Sequence, residues 1–290
     1  MVACDLDNTL IHSYKHRQEK DICIERIKGR EQGFMAPKAV ELLRCLKGLA
    51  QAVPVTARSL DQYLRIRWPL GCLPDYAVAA NGGILLDHGE IDGSWREESQ
   101  NIAAPFQGEI NRLCRELAGQ GQYARVQVVD GIYLFACAKE GGGQKGAARA
   151  GNGFRRPFAP DGGRFSGQTA LEAVHSGRKS YFLPPGIHKG AALLRLKKRL
   201  GADFIICAGD SEPDIPMLKA ADLAIVPSGR LAGLVGGGSV AVCGEGENFA
   251  EFVLETAIEA VRERRRPLYS HQPQGSIPVL YGADHCIRIY

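Results

Sequence analysis

The sequence predicts an α/β protein, a doubly wound parallel sheet interrupted by an inserted α+β module. Three observations carry this. Short apolar runs recur along the chain, each stopping at a polar residue. Amphipathic helical patterns lie between them. From about residue 84 to 185 that alternation gives way to paired, hairpin-like segments. Continuous apolar runs of this length read as strands buried on both faces. Strands alternating with helices build a doubly wound sheet.

In chain order, Val2-Ala3-Cys4 is the first strand and runs into Asp5. Ile22–Met35 reads as a hairpin turning at Lys28-Gly29-Arg30. Pro37 opens a helix over 37–49, with Ala39, Val40, Leu42, Leu43 and Leu46 as its apolar positions. Ala52–Val55 is a strand ending at Thr56, and Ser59-Leu60-Asp61-Gln62 has capping-box spacing for the next helix. Tyr76–Ala80 is a strand ending at Asn81.

In the insert, a helix is expected near 100–119. Ala124–Val129 and Ile132–Ala138 read as a hairpin closed by Asp130-Gly131, a pair suited to a two-residue turn. Residues 140–163 are glycine-rich and basic and read as a mobile loop. Phe165–Val174 and Lys179–Leu183 form a second hairpin around Ser176-Gly177. The sheet pattern then resumes. A helix over 189–200 places Ala192, Leu193, Leu196 and Leu200 inward and stops at Gly201. Phe204–Ala208 and Leu223–Val226 are strands. A last helix begins at Asn248, with Phe249, Phe252, Val253, Ala257 and Ala260 inward. The expected division is a core of 1–83 and 186–262, an insert of 84–185 and a tail of 263–290.

With 45% apolar and 23% charged residues, wholesale disorder and fibrous structure are excluded. A net charge of +4 does not demand nucleic acid but suits an anionic substrate. No apolar stretch of about 18 residues is present to span a membrane. The acidic Asp5 and Asp7 argue against a signal peptide. Nine scattered cysteines without a CxxC pair argue against a thiolate zinc site and fit a reducing cytoplasm.

Open α/β sheets bind ligands beyond the carboxyl ends of their strands, where Asp5, Thr56, Asn81 and Asp210 all fall. The nearby carboxylates Asp5 and Asp7 repel, which separates their pKa values or recruits a cation. Mg²⁺ prefers such oxygen ligands. A helix cap or a solvated turn is the plainer reading of the pair by itself. Gly209-Asp210-Ser211-Glu212-Pro213-Asp214 is a second acidic cluster at a strand end. Its Ser211-x-x-Asp214 spacing also fits a capping box, which accounts for Asp214 but leaves Asp210 unexplained. Thr56-Ala57-Arg58 is either an anion site at a helix N-terminus or a simple cap. Lys189 by itself reads as a solvated lysine, and His188 as a turn residue rather than a base.

Taken together, in the order acidic pair, Thr, Lys, acidic pair, the chain resembles the haloacid dehalogenase-like hydrolase superfamily. The motifs are Asp5-Leu6-Asp7-Asn8-Thr9-Leu10, Thr56-Ala57-Arg58, Lys189-Gly190 and Gly209-Asp210-Ser211-Glu212-Pro213-Asp214. The insert between the Thr and Lys motifs, preceded by Asn81-Gly82-Gly83, is similar to the type C2 cap of the Cof-like and sucrose-phosphatase-like branches. The resemblance covers about residues 1–262. It implies a three-layer Rossmann-like core with an α+β cap, and a Mg²⁺-dependent phosphatase acting on a small phosphorylated metabolite, a sugar phosphate by analogy with the cap. Asp5 would be the nucleophile and Asp7 the general acid and base. Thr56, Ala57 and Lys189 would hold the phosphoryl group. Asp5, the Asp7 carbonyl, Asp210 and Asp214 would hold Mg²⁺. Arg58, Asn81, Arg178, Lys179 and Tyr181 are candidate substrate contacts. The family pattern often has Gly where Ala57 and Asn8 stand, and Asn where Pro213 stands.

Two other readings compete. A phosphomannomutase-like phosphotransferase would need basic cap residues, which Arg155, Arg156, Arg164, Arg178 and Lys179 could supply. A non-catalytic binding protein would use Arg262–Arg266, but Glu263 interrupts that cluster and a basic helix end is the simpler account. Neither a membrane nor a nucleic-acid partner is expected. Ile277–Tyr281 is apolar enough to pack on the core or on a second copy, and both remain open.

Overall fold

The computed structural model describes residues 1–140 and 169–265. Expectations for Arg155, Arg156, Arg164, Ile277–Tyr281 and most of the glycine-rich stretch lie outside the described residues. In chain order, β1 (Val2–Cys4), β2 (His12–Ser13), β3 (Ile22–Ile27) and β4 (Arg30–Met35) lead to α1 (Pro37–Leu49), β5 (Ala52–Pro54) and α2 (Leu60–Leu64). Next come β6 (Tyr76–Ala79), β7 (Ile84–Asp87) and β8 (Glu90–Ile91). The rest of the stretch expected as the insert, 84–185, which begins with β7 and β8, holds α3 (Gly93–Ala103), α4 (Gln107–Gly119), β9 (Tyr123–Val129), β10 (Tyr133–Ala138), β11 (Glu172–Ser176) and β12 (Lys179–Leu183). The chain continues with α5 (Lys189–Leu200), β13 (Ile206–Ala208), α6 (Ile215–Lys219), β14 (Leu223–Val226), α7 (Gly229–Val235), β15 (Ser239–Val242) and α8 (Phe249–Arg265).

The central sheet is parallel, in the order β15-β14-β13-β1-β5. Strand alternation sorts its residues into two layers. Val2, Cys4, Ile206 and Ala208 pack with Leu43, Leu46, Val253 and Ala257 of α1 and α8. Ala3, Ile205 and Cys207 pack with Leu193 and Leu196 of α5 and Leu218 of α6 on the opposite side. Both faces are thus covered, as the unbroken apolar runs predict.

The run Tyr76–Ala80 behaves differently from its neighbours. β6 meets the residue just past β5 through an isolated parallel bridge, Val55 to Val78, and pairs antiparallel with β7, which pairs with β8. The sheet therefore ends in an antiparallel margin that the apolar pattern did not announce. The strand β15 was also unanticipated.

The insert has a core of its own. Ile110, Leu113 and Leu117 of α4 pack on Leu134, Ala136 and Phe182 of a four-stranded antiparallel sheet in the order β11-β12-β10-β9. The Asp130-Gly131 turn has positive φ at both residues, 49° and 73°, as the two-residue hairpin requires. Lys28-Gly29 does the same between β3 and β4, with φ of 50° and 79°. Where one helix was expected near 100–119 there are two. α3 was missed because it buries only Trp95, Ser99 and Ala103, too few apolar positions to mark a stripe. Among the described residues, no helix is long and apolar enough to cross a membrane.

Candidate active site

The adjacent strands β1 and β5 run parallel, with Cys4 beside Pro54, so Asp5 and Thr56 leave the sheet at the same edge. β13 flanks β1 on the other side, with Cys4 beside Ala208, and Gly209-Asp210 follow directly. This is the carboxyl edge at which a parallel sheet gathers its ligands.

Asp5 and Lys189 are buried, at 6% and 2% exposure, and Asp214 is fully buried. The Lys189 ammonium donates to Asp5 Oδ1 at 2.5 Å and to Asp214 Oδ1 at 2.6 Å. Lys189 is therefore no solvated lysine. Burial alone would lower its pKa, but the two carboxylates keep it protonated, above its ordinary value. Burial pushes the Asp5 carboxyl above the carboxylate range despite the pull of Lys189. Asp210 is pushed up to about 6, first by burial and then by Asp214.

The loop around Asp214 serves two purposes. Asp214 Oδ2 accepts the backbone N–H groups of Asp210 and Ser211 at 3.1 and 3.0 Å, and the Ser211 hydroxyl at 3.2 Å. The capping box is thus real, and Oδ1 of the same carboxylate still faces Lys189. Two glycines make the approach possible. A Cβ on Gly209 would lie 2.5 Å from Asp214 Cβ, and one on Gly190 would lie 2.5 Å from the Pro216 carbonyl oxygen.

One oxygen each of Asp5, Asp210 and Asp214 lie within 4.8 Å of one another. When all three carboxylates are ionised, the single ammonium of Lys189 leaves an excess of two negative charges. An all-oxygen donor set of that charge fits a hard divalent cation such as Mg²⁺.

Asp7 sits apart from this cluster, with its side chain 43% exposed. Arg58 grips it bidentately, Nε to Oδ2 at 2.9 Å and Nη2 to Oδ1 at 2.8 Å. Burial acts to raise the Asp7 pKa, but the guanidinium overrides it and holds the carboxyl below its ordinary value. Arg58 Nη1 also donates to Glu25 at 3.0 Å, and Arg65 donates to the other Glu25 oxygen at 3.1 Å. Sequence reasoning missed Glu25, which is 4% exposed on β3. Its only signal is a lone acidic residue closing the apolar stretch Ile22-Cys23-Ile24.

Asn8 adopts φ of 62°, a left-handed conformation that asparagine tolerates, and its amide donates to Asp210 at 3.4 Å. Thr56 is buried, and its hydroxyl accepts the Arg58 backbone N–H at 3.1 Å. The Ala57 carbonyl accepts the Tyr133 phenol at 2.7 Å, tying the insert to this loop. His188 caps α5, its Nδ1 accepting the Ala191 N–H at 3.1 Å, so it is a cap and not a base.

Of the candidate substrate contacts, Arg58, Lys179 and Tyr181 line one cleft with Asp7 and Ala57. Arg178 and Asn81 do not. Arg178 pairs with Glu140 at 3.3 Å. Asn81 is buried in a turn with φ of 56°, its backbone N–H on the Thr56 carbonyl. Sequence reasoning missed Arg125 and Gln127 on the cleft's cap side, although both share the strand parity of Val129 on β9.

Comparison with solved structures places this architecture. A sucrose-phosphatase from Synechocystis, solved with sucrose and phosphate, aligns at a TM-score of 0.56 with 14% identity, covering 89% of this chain and 97% of that one. A haloacid dehalogenase-like hydrolase from B. subtilis aligns at 0.52 with 16% identity, covering 88% and 98%. The chain has the haloacid dehalogenase-like fold. A phosphatase of that superfamily from Bacteroides thetaiotaomicron aligns at 0.51 with 16% identity, over 90% and 94%. No family model and no curated protein matches the sequence.

Proposed function

We propose that this haloacid dehalogenase-like protein is a Mg²⁺-dependent phosphatase that hydrolyses a small phosphorylated metabolite, a sugar phosphate, through an aspartyl-phosphate intermediate. The observation that carries the reading is the buried Asp5, held 2.5 Å from Lys189 and grouped with Asp210 and Asp214 at one sheet edge. Burying that many carboxylates is costly, and a divalent cation would offset the cost. The sugar assignment takes support from the sucrose-phosphatase named above and from a second structural neighbour described as related to trehalose-6-phosphate phosphatase.

Asp5, Asp210 and Asp214, with the Asp7 carbonyl, would hold Mg²⁺, which would neutralise charge between nucleophile and phosphate and orient the ester. Lys189 aims Asp5 and pulls it toward its charged form against burial, and its remaining hydrogen would face a phosphoryl oxygen. Thr56 and the backbone of Ala57 face the same group. An Asp5 oxygen forms a bond to phosphorus as the ester P–O bond breaks. Asp7, one turn of loop away, supplies the proton to the departing oxygen. Water then attacks phosphorus, Asp7 takes its proton, and the bond to Asp5 breaks. Arg58 favours the ionised Asp7 needed for this second half. Loading Asp7 with a proton for the first half requires Arg58 to shift its grip toward Glu25.

The test is phosphate release from para-nitrophenyl phosphate and a sugar-phosphate panel, in Mg²⁺ and in EDTA. Asp5→Asn should lower the rate roughly a thousandfold or more, the scale of losing a nucleophile, without loss of fold. Equal activity in Asp5→Asn would overturn the reading.

A further inference from the structure

The cap sheet has a face that its own core does not use. Leu134, Ala136 and Phe182 point toward α4. The alternate positions Arg125, Gln127, Tyr133, Phe135, Lys179 and Tyr181 line a cavity of about 330 Å³, with Asp7, Ala57 and Arg58 on its other wall. Strand register orders this face into rows. Tyr133 is nearest the core, bonded to Ala57. Phe135 lies between Gln127 and Tyr181 in the next row, and its ring is 5.5 Å from that of Tyr181. Arg125 and Lys179 flank Cys137 in the third row, about 7 Å further out at two residues per step.

Among the described residues, the charges lining this cavity do not balance. Its carboxylates are Asp7 and Glu25, and both are taken by Arg58 and Arg65. Arg125 bonds only to the neutral Gln127 among the described residues. Lys179 makes no ion pair among them, though its charge reaches Asp7. Two cations thus stand together, without an ion-pair partner among the described residues, above an aromatic row and on the cap side of the cleft. Solvated lysines and arginines are ordinary on a surface, and both of these are exposed, but two in one row at the rim of a cleft, across from the proposed phosphate site, form a subsite for an anion.

We propose that the ester cleaved at Asp5 carries a second anionic group, a carboxylate or a phosphate, on its leaving group. Lys179 and Arg125 bind that group, while Phe135 and Tyr181 pack against the carbon skeleton between the two anions. This rests on the phosphatase reading above and narrows its substrate to doubly anionic metabolites.

The experiment compares matched probes: 3-phosphoglycerate with glycerol 3-phosphate, 6-phosphogluconate with glucose 6-phosphate, and glucose 1,6-bisphosphate with glucose 6-phosphate. The first two pairs test a carboxylate at two lengths, and the third tests a phosphate. In at least one pair, kcat/KM should favour the two-anion member about tenfold to a hundredfold, the range of charge-assisted hydrogen bonds. Lys179→Met and Arg125→Met should raise KM for that member about tenfold more than for its partner. Calorimetric titration of Asp5→Asn with the same probes should give the same preference without turnover. Matched pairs that differ less than about twofold in both rate and binding, or variants that weaken both members equally, would overturn the subsite. Should the binding preference hold while Asp5→Asn hydrolyses para-nitrophenyl phosphate like wild type, the subsite stands and the aspartyl-phosphate route through Asp5 alone falls.

Discussion

Lys189→Met removes the one ammonium inside the acidic cluster while keeping the side chain's length. The native lysine bridges Asp5 at 2.5 Å and Asp214 at 2.6 Å, and all three groups are buried. Deleting one partner of a buried pair leaves uncompensated charge and costs about 3–5 kcal/mol. That is a large part of the roughly 5–15 kcal/mol that holds a typical domain together. Urea unfolding at pH 7 in EDTA should therefore show a midpoint well below wild type at an unchanged slope. The loss should shrink on acidification, because protonating Asp5 and Asp210 removes the repulsion. The sign follows from their raised pKa values. A carboxyl that holds its proton more tightly when folded stabilises the fold below its unfolded value near pH 4, and that stability is gone above its folded value, about 6 for Asp210. Mg²⁺ should restore part of the loss by supplying the missing charge. A loss under about 1 kcal/mol at pH 7, the worth of an exposed pair, or a loss that grows toward pH 5, would refute the reasoning.

Three further outcomes are expected. Gly209→Ala drives a Cβ to 2.5 Å from Asp214 Cβ, so it should cost about 1–3 kcal/mol as overpacking does and weaken the Mg²⁺-induced rise in Tm; an unchanged rise would contradict this. Tyr133→Phe removes the 2.7 Å bond to Ala57 and should cost about 1 kcal/mol, with faster amide exchange in residues 56–58 as the readout. Asp92→Ala deletes the cap of α3, where Asp92 accepts the Trp95 N–H at 2.7 Å, and should cost about 1 kcal/mol by urea unfolding at pH 7. That backbone bond, with Ser94 and Arg199, lowers the Asp92 pKa to about 2. Its stabilisation is present above pH 4 and lost as pH falls toward 2, so the variant and wild type should converge in acid.

Much of this was legible because the signals are local. An apolar run that stops at Asp5, Thr56 or Asp210 states both a buried strand and the edge where its ligand side lies. Asp130-Gly131, Lys28-Gly29 and the Ser59 capping box encode their turns in adjacent residues. What escaped depends on distance in the chain. Glu25 meets Arg58 across 33 residues, and no spacing rule links a β3 carboxylate to the loop after β5. The pairing of β6 with β7 was hidden because both faces are buried in either a parallel or an antiparallel strand. Arg125 was overlooked because a basic residue on a strand reads as solvated until the register puts it opposite Cys137, with Lys179 on the other side. The motifs point to where the proposed phosphoryl group would sit, and only the register of the cap sheet brings Arg125 beside Lys179.

The most direct test of the central claim is to trap the intermediate. Wild-type protein with Mg²⁺ and a turned-over ester is quenched in acid within a single turnover, digested, and its peptides weighed. The account predicts one added phosphoryl group on the peptide bearing Asp5, absent from Asp5→Asn. Phosphate release with no such adduct, or an adduct on another residue, would contradict it.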